Sequence, residues 1–270
     1  MSSWPRHRCT GQAYDAQQPD PHTGALGGGD ALFGLNFAFV RKADDTPSGI
    51  TAVAQNYLKA IWTAQEWSNE RVSTKMLADK LGVAAGTASE SIRKLCEQGL
   101  VHHEKYGAVT LTDSGRHAAL AVVRRHRLLE TFLVSELGYS WDEVHDEAEI
   151  LEHAVSGQLL ARIDAKLGFP RRDPHGDPIP AADGEVPASP ARQLWACADG
   201  DAVTISRISD ADPQMLRYFD SVGITLDSRV QVLTRREFAG MVSVSVHAAD
   251  GSAAIVELGS PAARAIWVQD

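Results

Sequence analysis

The chain has 270 residues, of which 44% are apolar, and a formal net charge of −9. This length allows more than one hydrophobic core, and the composition is typical of a soluble globular protein. The apolar run 31–40 is shorter than the about 20 residues that a membrane-spanning helix needs, and it lacks the features of a signal peptide. Three scattered cysteines exclude a disulfide framework and favour a cytoplasmic location.

Charge is unevenly distributed along the chain. Residues 51–134 carry 11 basic and 8 acidic side chains, net +3, whereas residues 135–270 carry 11 basic and 22 acidic side chains, net −11. This distribution is compatible with a DNA-binding head on an acidic body.

Residues 1–47 contain clusters of Gly, Pro, Gln and Asp without periodicity. They predict a disordered N-terminal extension. A start codon chosen too far upstream would explain the segment equally well.

Four local patterns follow. "TAVAQNYLKAIWTAQEW" is an amphipathic helix, and "STKMLADKLGV" is a short helix capped by Ser73 or Thr74. "AAGTASESIRKLCEQGLV" is a third helix, and "HHEKYGAVTLT" is two short strands around Tyr106-Gly107. Helix, short helix, turn, helix and hairpin is the order of a winged helix-turn-helix domain, which we predict over residues 48–113.

The exposed start of the third helix is built from small or hydroxylated side chains. Such a helix fits deeply into a major groove of double-stranded DNA, whereas basic side chains beside it would contact phosphates. The predicted DNA-binding residues are Lys75, Ala84, Gly86, Thr87, Ser89, Glu90, Arg93, Lys94 and Lys105. The alternative is a small helical domain in which these hydroxyl groups only cap the helix or contact solvent. The net positive charge of residues 51–134 and the predicted hairpin favour DNA binding.

A stripe of ionisable side chains marks the next region, 114–168. In "HDEAEILEH" (145–153), the spacing i, i+4, i+7 and i+8 places His145, Glu149, Glu152 and His153 on one helical face. His126 and Glu130 share a face of the preceding helix, across a short loop at 138–140. Six such groups on adjacent helices predict divalent-metal ligands, although a solvated polar stripe remains an alternative.

The same region carries more apolar positions than a small domain buries internally, including Leu151, Val155, Leu159 and Ile163. This surplus predicts a homodimer interface over 138–167. Six prolines and two glycines in 169–190 indicate a linker or irregular loop, taken as 169–191. Alternating segments over 192–270 predict a small β-barrel. The predicted fold class is therefore mainly α with a small all-β C-terminal domain.

An enzyme and a metal-independent winged-helix protein are the two alternative functional classes. A di-metal carboxylate oxidase needs two Glu-x-x-His repeats, but Ile150 and Asp142 stand three residues before His153 and His145. The HExxH motif of zinc hydrolases is also absent. The pattern therefore predicts neither enzyme activity nor a small-molecule substrate, and leaves a metal-independent winged-helix protein as the other alternative.

The stretches "VRRHRLLETFL", "VHDEAEILEH" and "HGDPIP" resemble the diphtheria toxin repressor family of metal-dependent transcriptional regulators, and within it the manganese-responsive branch. The resemblance runs from about Thr51 to Asp270. It implies a winged helix, a helical dimerisation and metal-binding domain, and an SH3-like C-terminal domain. It also implies a cytoplasmic homodimer that binds palindromic operator DNA when loaded with Mn²⁺, or with Fe²⁺ or another divalent transition metal, and that represses metal-uptake genes.

The resemblance implies two ligand sets. One contains Asn56, Glu149, Glu152 and His153. The other contains His126, Glu130 and His145, completed from the SH3-like domain by Asp212, or by Gln214 or Met215 in the matching stretch "DADPQM".

Two positions depart from relatives in the family. Position 149 is a cysteine in the iron-responsive branch and Glu149 here, so that the ligands are all oxygen or nitrogen, as suits Mn²⁺. Position 56 is usually an aspartate in the manganese branch and Asn56 here, which retains an amide oxygen but lacks the charge.

Overall fold

The computed structural model describes residues 49–68, 71–104, 107–188, 191–247 and 252–270. The predicted N-terminal extension, Lys105 and Tyr106 lie outside these residues. Among the described helices, none is long and apolar enough to cross a membrane.

Three helices and a two-stranded hairpin form the head. Helix α1 spans Ala52–Glu66, α2 spans Thr74–Lys80 and α3 spans Ala85–Glu97, followed by antiparallel strands β1 (Val101–His103) and β2 (Val109–Leu111). Ser73 caps α2 by accepting a hydrogen bond from the amide of Met76. The helices pack around a core that includes Leu58, Ile61 and Ile92. The predicted winged helix-turn-helix order is confirmed.

The long helix α4 (Asp113–Leu137) connects the head to the body, which contains α5 (Val144–Leu151) and α6 (Gly157–Lys166). Ser156 caps α6 by accepting a hydrogen bond from the amide of Leu159. The apolar surplus is smaller than the sequence suggested, because Ile163 is buried in the core of its own chain. Leu159 and Ile150 are exposed, at 50% and 70%.

The proline-rich stretch after α6 packs closely against the rest of the chain. Residues 173–180 are buried except for the partly buried Pro174. Apart from one isolated bridge between Arg172 and Pro178, it has no strand pairing within its described residues. This stretch is therefore an irregular part of the packed fold; the domain boundaries drawn from the sequence remain predictions.

The C-terminal region is a six-stranded sheet in the order β3-β8-β4-β5-β6-β7. Its strands are β3 (Arg192–Gln193), β4 (Ala202–Ile208), β5 (Arg229–Arg236), β6 (Met241–His247), β7 (Ala253–Gly259) and β8 (Ile266–Gln269). All described pairings are antiparallel. The predicted class, mainly α with a small β domain, is confirmed.

Two short helices in the C-terminal region were not predicted. Helix α7 (Pro213–Ser221) lies between β4 and β5, and α8 (Ser260–Arg264) lies between β7 and β8. Leu216 and Phe219 of α7 are buried in the core beneath the sheet. Their i, i+3 spacing is too short a signal to separate a nine-residue helix from a loop.

A polar junction joins head, body and C-terminal region. The guanidinium of Arg127 on α4 donates to Glu66 at the end of α1, over 2.6 and 2.9 Å, and to the carbonyl of Pro178. Asp177 accepts hydrogen bonds from the indole of Trp67 and from Arg207 on β4, each over 2.7 Å. The three regions therefore meet through charge-assisted hydrogen bonds, with the irregular segment at their centre.

Gly115, in the first turn of α4, marks a close approach between head elements. A Cβ atom there would lie 1.8 Å from the carbonyl oxygen of Leu100, whereas one at Gly86 of α3 would meet nothing within 4 Å. We expect Gly115→Ala to destabilise the fold by about 1–3 kcal/mol, because two backbone segments must separate.

Gly86→Ala is the matched control, since it should gain up to about 1 kcal/mol of helix stability. Urea unfolding followed by circular dichroism compares the two variants. A Gly115→Ala variant as stable as Gly86→Ala would contradict this packing.

Candidate metal centre

The ionisable stripe lies on α5 and in the turn that follows it. Helix α5 ends at Leu151, so His145 and Glu149 are helical, whereas Glu152 and His153 come just after the helix. Glu152 keeps helical backbone angles, φ −58 and ψ −27. It therefore remains on the face that the four-residue spacing predicts, where its side chain is fully buried.

Helix α4 supplies the facing pair. His126 and Glu130 are buried one turn apart, with 2.9 Å between His126 Nε2 and Glu130 Oε1. His145 Nδ1 lies 3.2 Å from the same Glu130 oxygen and 3.2 Å from His126 Nε2. The structure therefore brings together the three residues of the second predicted ligand set.

The C-terminal region contributes Asp210 to this group. Asp210 Oδ2 is 3.3 Å from His145 Nδ1. The sequence pointed instead to Asp212, Gln214 or Met215, and the structure places each of these elsewhere. Asp212 accepts hydrogen bonds from the amides of Gln214 and Met215 and so caps α7. Gln214 is exposed, and Met215 packs against the C-terminal core.

The first predicted set gathers around Lys59 of α1. The Lys59 ammonium donates to Glu149 Oε1 over 2.5 Å and to both oxygens of Glu152 over 2.8 Å. His126 Nδ1 lies 2.7 Å from Glu152 Oε2, so this ring touches both sets. The structure thus groups Glu149 and Glu152 with His126.

Asn56 and His153 lie beside each other at the edge of this group. Asn56 Oδ1 is 2.7 Å from His153 Nε2, and Gln55 Oε1 is 3.0 Å from His153 Nδ1. His153 Nε2 is also 3.4 Å from Glu152 Oε1. The side chains that the first set requires are therefore neighbours, from α1 of the head and from the end of α5.

The charges of the second set are strongly coupled. Burial disfavours a charged ring at His126, but the nearby Glu130 carboxylate outweighs it and raises the pKa of His126 to about 9. Burial likewise opposes charge on His145, whereas its hydrogen bonds to Asp210 and Glu130 raise its pKa to about 10.

Burial alone would raise the pKa of both Glu130 and Asp210. Instead, the His126 charge holds the pKa of Glu130 well below its usual range, and the hydrogen bond from His145 does the same for Asp210. Without a metal, the cluster consists of ionised carboxylates neutralised by protonated imidazoles. A cation bound at a ring nitrogen must displace that proton.

The donors fit a hard or borderline divalent cation. They are carboxylate oxygens, imidazole nitrogens and one amide oxygen, held on separate elements and partly or fully buried. A cleft of about 1180 Å³, lined among others by Asn56, Lys59, His145, Glu149 and Asp210, gives access from solvent. This donor chemistry suits Mn²⁺, Fe²⁺ and similar ions, and holds no soft thiolate.

Three polar residues of the site were missed by the sequence reasoning. Lys59 stands three positions after Asn56, on the same face of α1. Asp210 stands two residues before Asp212, to which the sequence pointed. His175 belongs to "HGDPIP", one of the stretches that carry the family resemblance. Its side chain is fully buried, 3.9 Å from Glu130.

Apart from Lys105, the predicted DNA-binding residues lie on α2, on α3 and at the N-cap of α3. The described members, Lys75 and those of α3 and its N-cap, are all exposed. Arg93 donates to Glu90 over 2.6 and 3.0 Å and to Glu97. Its charge is thus partly balanced within the helix, and the assignment of these residues to DNA contacts remains a prediction.

Three family models match successive parts of the chain. Residues 49–109 match "Iron dependent repressor, N-terminal DNA binding domain", and residues 112–181 match "Iron dependent repressor, metal binding and dimerisation domain". Residues 192–270 match the FeoA domain.

Individual relatives agree with these matches. The chain is 33% identical to the iron-dependent repressor IdeR of Mycobacterium tuberculosis over 178 residues, 57% of this chain and 77% of that protein. It is 32% identical to the diphtheria toxin repressor of Corynebacterium diphtheriae over 161 residues, 60% of this chain and 67% of that protein.

Solved structures extend the comparison to the fold. A manganese-dependent transcriptional repressor in complex with manganese is 77% identical, with a TM-score of 0.76, over 80% of this chain and 98% of that one. The manganese regulator SloR is 31% identical, with a TM-score of 0.67, over 80% of this chain and 97% of that one. The chain therefore belongs to the diphtheria toxin repressor family, and it is a metal-dependent transcriptional regulator and not an enzyme.

Proposed function

We propose that this protein is a manganese-responsive repressor of metal-uptake genes, which binds palindromic operator DNA as a homodimer when its cation sites are loaded. The observation that carries the proposal is the grouping of His126, Glu149 and Glu152 against Lys59 of the head. Asn56 of the same head helix lies 2.7 Å from His153, so that head and body ligands of one predicted set are neighbours. A cation held there would restrain the head relative to the body.

The donor set supports Mn²⁺ as the ion. Oxygen and nitrogen ligands without a thiolate favour hard and borderline cations, and Mn²⁺ needs geometry rather than raw affinity to be selected. The 77% identical structure is described as manganese-dependent and in complex with manganese. Fe²⁺ is the second candidate, because the 33% identical relative is described as an iron-dependent repressor.

The metal would act by changing the relative populations of the arrangements that the head and body can adopt. A cation that binds more tightly to the arrangement with Asn56 close to Glu149 and Glu152 favours that arrangement. The two heads of a dimer must then sit at a spacing that fits two half-sites about one helical turn apart. The partners proposed are thus double-stranded operator DNA and a second copy of the chain, with no small-molecule substrate.

Metal dependence of DNA binding tests this proposal. We expect Mn²⁺ to tighten binding of an operator fragment by about 5- to 150-fold, the usual range of coupling between two sites. The fragment is selected from random duplexes by the Mn²⁺-loaded protein, and affinity is measured by fluorescence anisotropy at fixed salt.

Two glutamates of α5 supply the matched variants for this measurement. Glu149→Gln should lose most of the Mn²⁺ response, whereas Glu147→Gln, outside the cluster, should retain it. Equal affinity with Mn²⁺ and after rigorous chelation would leave a metal-independent DNA-binding protein instead.

Lys59 provides a second test, because its ammonium lies where it neutralises Glu149 and Glu152. Lys59→Met should lower the stability of the chelated protein by roughly 3–5 kcal/mol, the usual effect of removing one partner of a buried ion pair. Mn²⁺ should restore that charge balance. The Mn²⁺-induced rise in thermal unfolding midpoint should therefore be larger than in the wild type.

Lys166→Met is the control for this variant. Lys166 pairs with Glu136 over 3.1 Å at the surface, so its loss should cost less than about 1 kcal/mol and leave the Mn²⁺ effect unchanged. If Mn²⁺ raises the thermal unfolding midpoint of the wild type and of Lys59→Met by the same amount, Lys59 and the cation do not share the carboxylates.

The homodimer is tested through Leu159, half exposed on α6 in the region that matches a dimerisation domain. A carboxylate in an apolar interface is costly to desolvate. Leu159→Asp should therefore shift sedimentation from twice the chain mass towards the monomer. Ile255→Asp, on exposed β7, should remain dimeric. A wild-type monomer that still binds a palindrome tightly would refute this assembly.

A further inference from the structure

His175 lies in the irregular segment before β3, outside the two predicted ligand sets. Its side chain is fully buried. Its Nε2 lies 2.7 Å from the backbone carbonyl oxygen of Trp141, which can only accept, so that Nε2 carries the proton of the neutral ring. The other nitrogen, Nδ1, is buried and has no hydrogen-bond partner. In the neutral ring, the lone pair of Nδ1 is thus left for another ligand.

The ring of His175 is fixed by its surroundings. It stacks on the Trp141 indole, with ring centroids 6.1 Å apart and planes at 17°. The His175 amide donates to Asp173 Oδ1 over 2.8 Å, and its carbonyl accepts from the amide of Ile208 on β4 over 2.8 Å. Metal-binding imidazoles typically donate their other N–H to a carbonyl or carboxylate in this manner.

Gly176 explains why the segment can lie so close to β4. Its φ is +91°, and a Cβ atom there would lie 2.2 Å from the carbonyl oxygen of Ser206. Only glycine meets both requirements without strain. The backbone contact places the preceding ring against the C-terminal sheet, so the position of Nδ1 follows from the packing of the segment.

Two carboxylates lie near this ring. Glu130 Oε2 is 3.9 Å from His175 Nδ1, too far for a hydrogen bond. One ligand atom each from Glu130, His175 and Asp210 lie within 4.8 Å of one another. Ligands bound at about 2.1 Å to one octahedral cation are about 3–4.2 Å apart. The 3.9 Å between Glu130 Oε2 and His175 Nδ1 therefore suits two ligands of one ion better than a direct contact between them.

We propose that Glu130, His175 and Asp210 form a third cation position, for Mn²⁺ or another divalent transition metal, beside the two ligand sets of the helical stripe. Glu130 serves both neighbouring positions, since its Oε1 faces His126 and His145 while its Oε2 faces His175. This site rests on the proposed metal-dependent function, because it takes the same class of ion.

The third position would join three parts of the chain. Glu130 lies on α4, His175 on the buried irregular segment, and Asp210 follows β4. An ion held there ties the C-terminal region to the helical body, at a point close to the cations that act on the head. The C-terminal region would then take part in the response to metal.

The number of bound ions tests the proposal. The full-length protein is dialysed against Mn²⁺ and the metal per chain is measured by inductively coupled plasma mass spectrometry. We expect three ions per chain in the wild type and two in His175→Phe, which retains an aromatic ring for stacking and loses both nitrogens. His117→Phe, an exposed position on α4, should retain three.

The possible outcomes separate the two proposals. Two ions per chain in the wild type, or equal numbers in wild type and His175→Phe, would overturn the third position and leave the manganese-responsive function standing. No bound Mn²⁺ in the wild type would overturn both.

A measurement on the wild type avoids any folding defect of the variant. Crystals of the Mn²⁺-loaded protein, measured at the manganese absorption edge, should show an anomalous peak within coordination distance of His175 Nδ1. Peaks near His126 and Glu152 with none near His175 would mean that this ring is only a structural partner of Glu130.

Discussion

Two buried carboxylates constrain much of this structure. Glu130 and Glu152 are 1% and 0% exposed, and an ionised carboxylate can remain in such a position only with a compensating cation or strong hydrogen bonds. His126 stands between them, with one ring nitrogen on each. Lys59 adds its ammonium to Glu152 from the head. The helical body therefore holds negative charge that groups from other parts of the chain neutralise.

In this arrangement, the groups that neutralise the buried carboxylates also connect the head to the body. The compensating groups come from α1 of the head and from α4 and α5 of the body, whereas Asp210, after β4, adds a further carboxylate. A divalent cation in place of protons and the Lys59 ammonium would change which of these regions are held together. The junction of Glu66, Arg127 and Asp177 forms at the C-terminal end of α1. It is a second contact between the head and the rest of the chain.

Short-range patterns in the sequence predicted most of the architecture. The cap at Ser73 and the apolar spacing of the head helices are local signals, and they gave α1 to α3 in the correct order. The four-residue spacing of His126 with Glu130, and of His145 with Glu149, likewise gave two faces that meet in the structure. Such signals depend on the periodicity of one element, which the sequence displays directly.

The remaining site residues depend on contacts across long stretches of chain. Lys59 reaches Glu152 across 93 positions, and Asp177 reaches Trp67 across 110. The sequence spacing does not show whether Asp210 or Asp212 faces the cluster, because it does not show where α7 begins. Once the helix begins at Pro213, the Asp212 side chain satisfies its free amides and Asp210 is left to face His145.

We propose that a cation shared by head and body restrains the head. Hydrogen exchange of backbone amides, measured by mass spectrometry with Mn²⁺ and after chelation, tests it most directly. We expect Mn²⁺ to slow exchange in α1 and α5, which carry Lys59 and Glu149, and to leave the central strand β6 unchanged. Unchanged exchange in α1, under conditions where Mn²⁺ is bound and DNA binding is enhanced, would contradict the account.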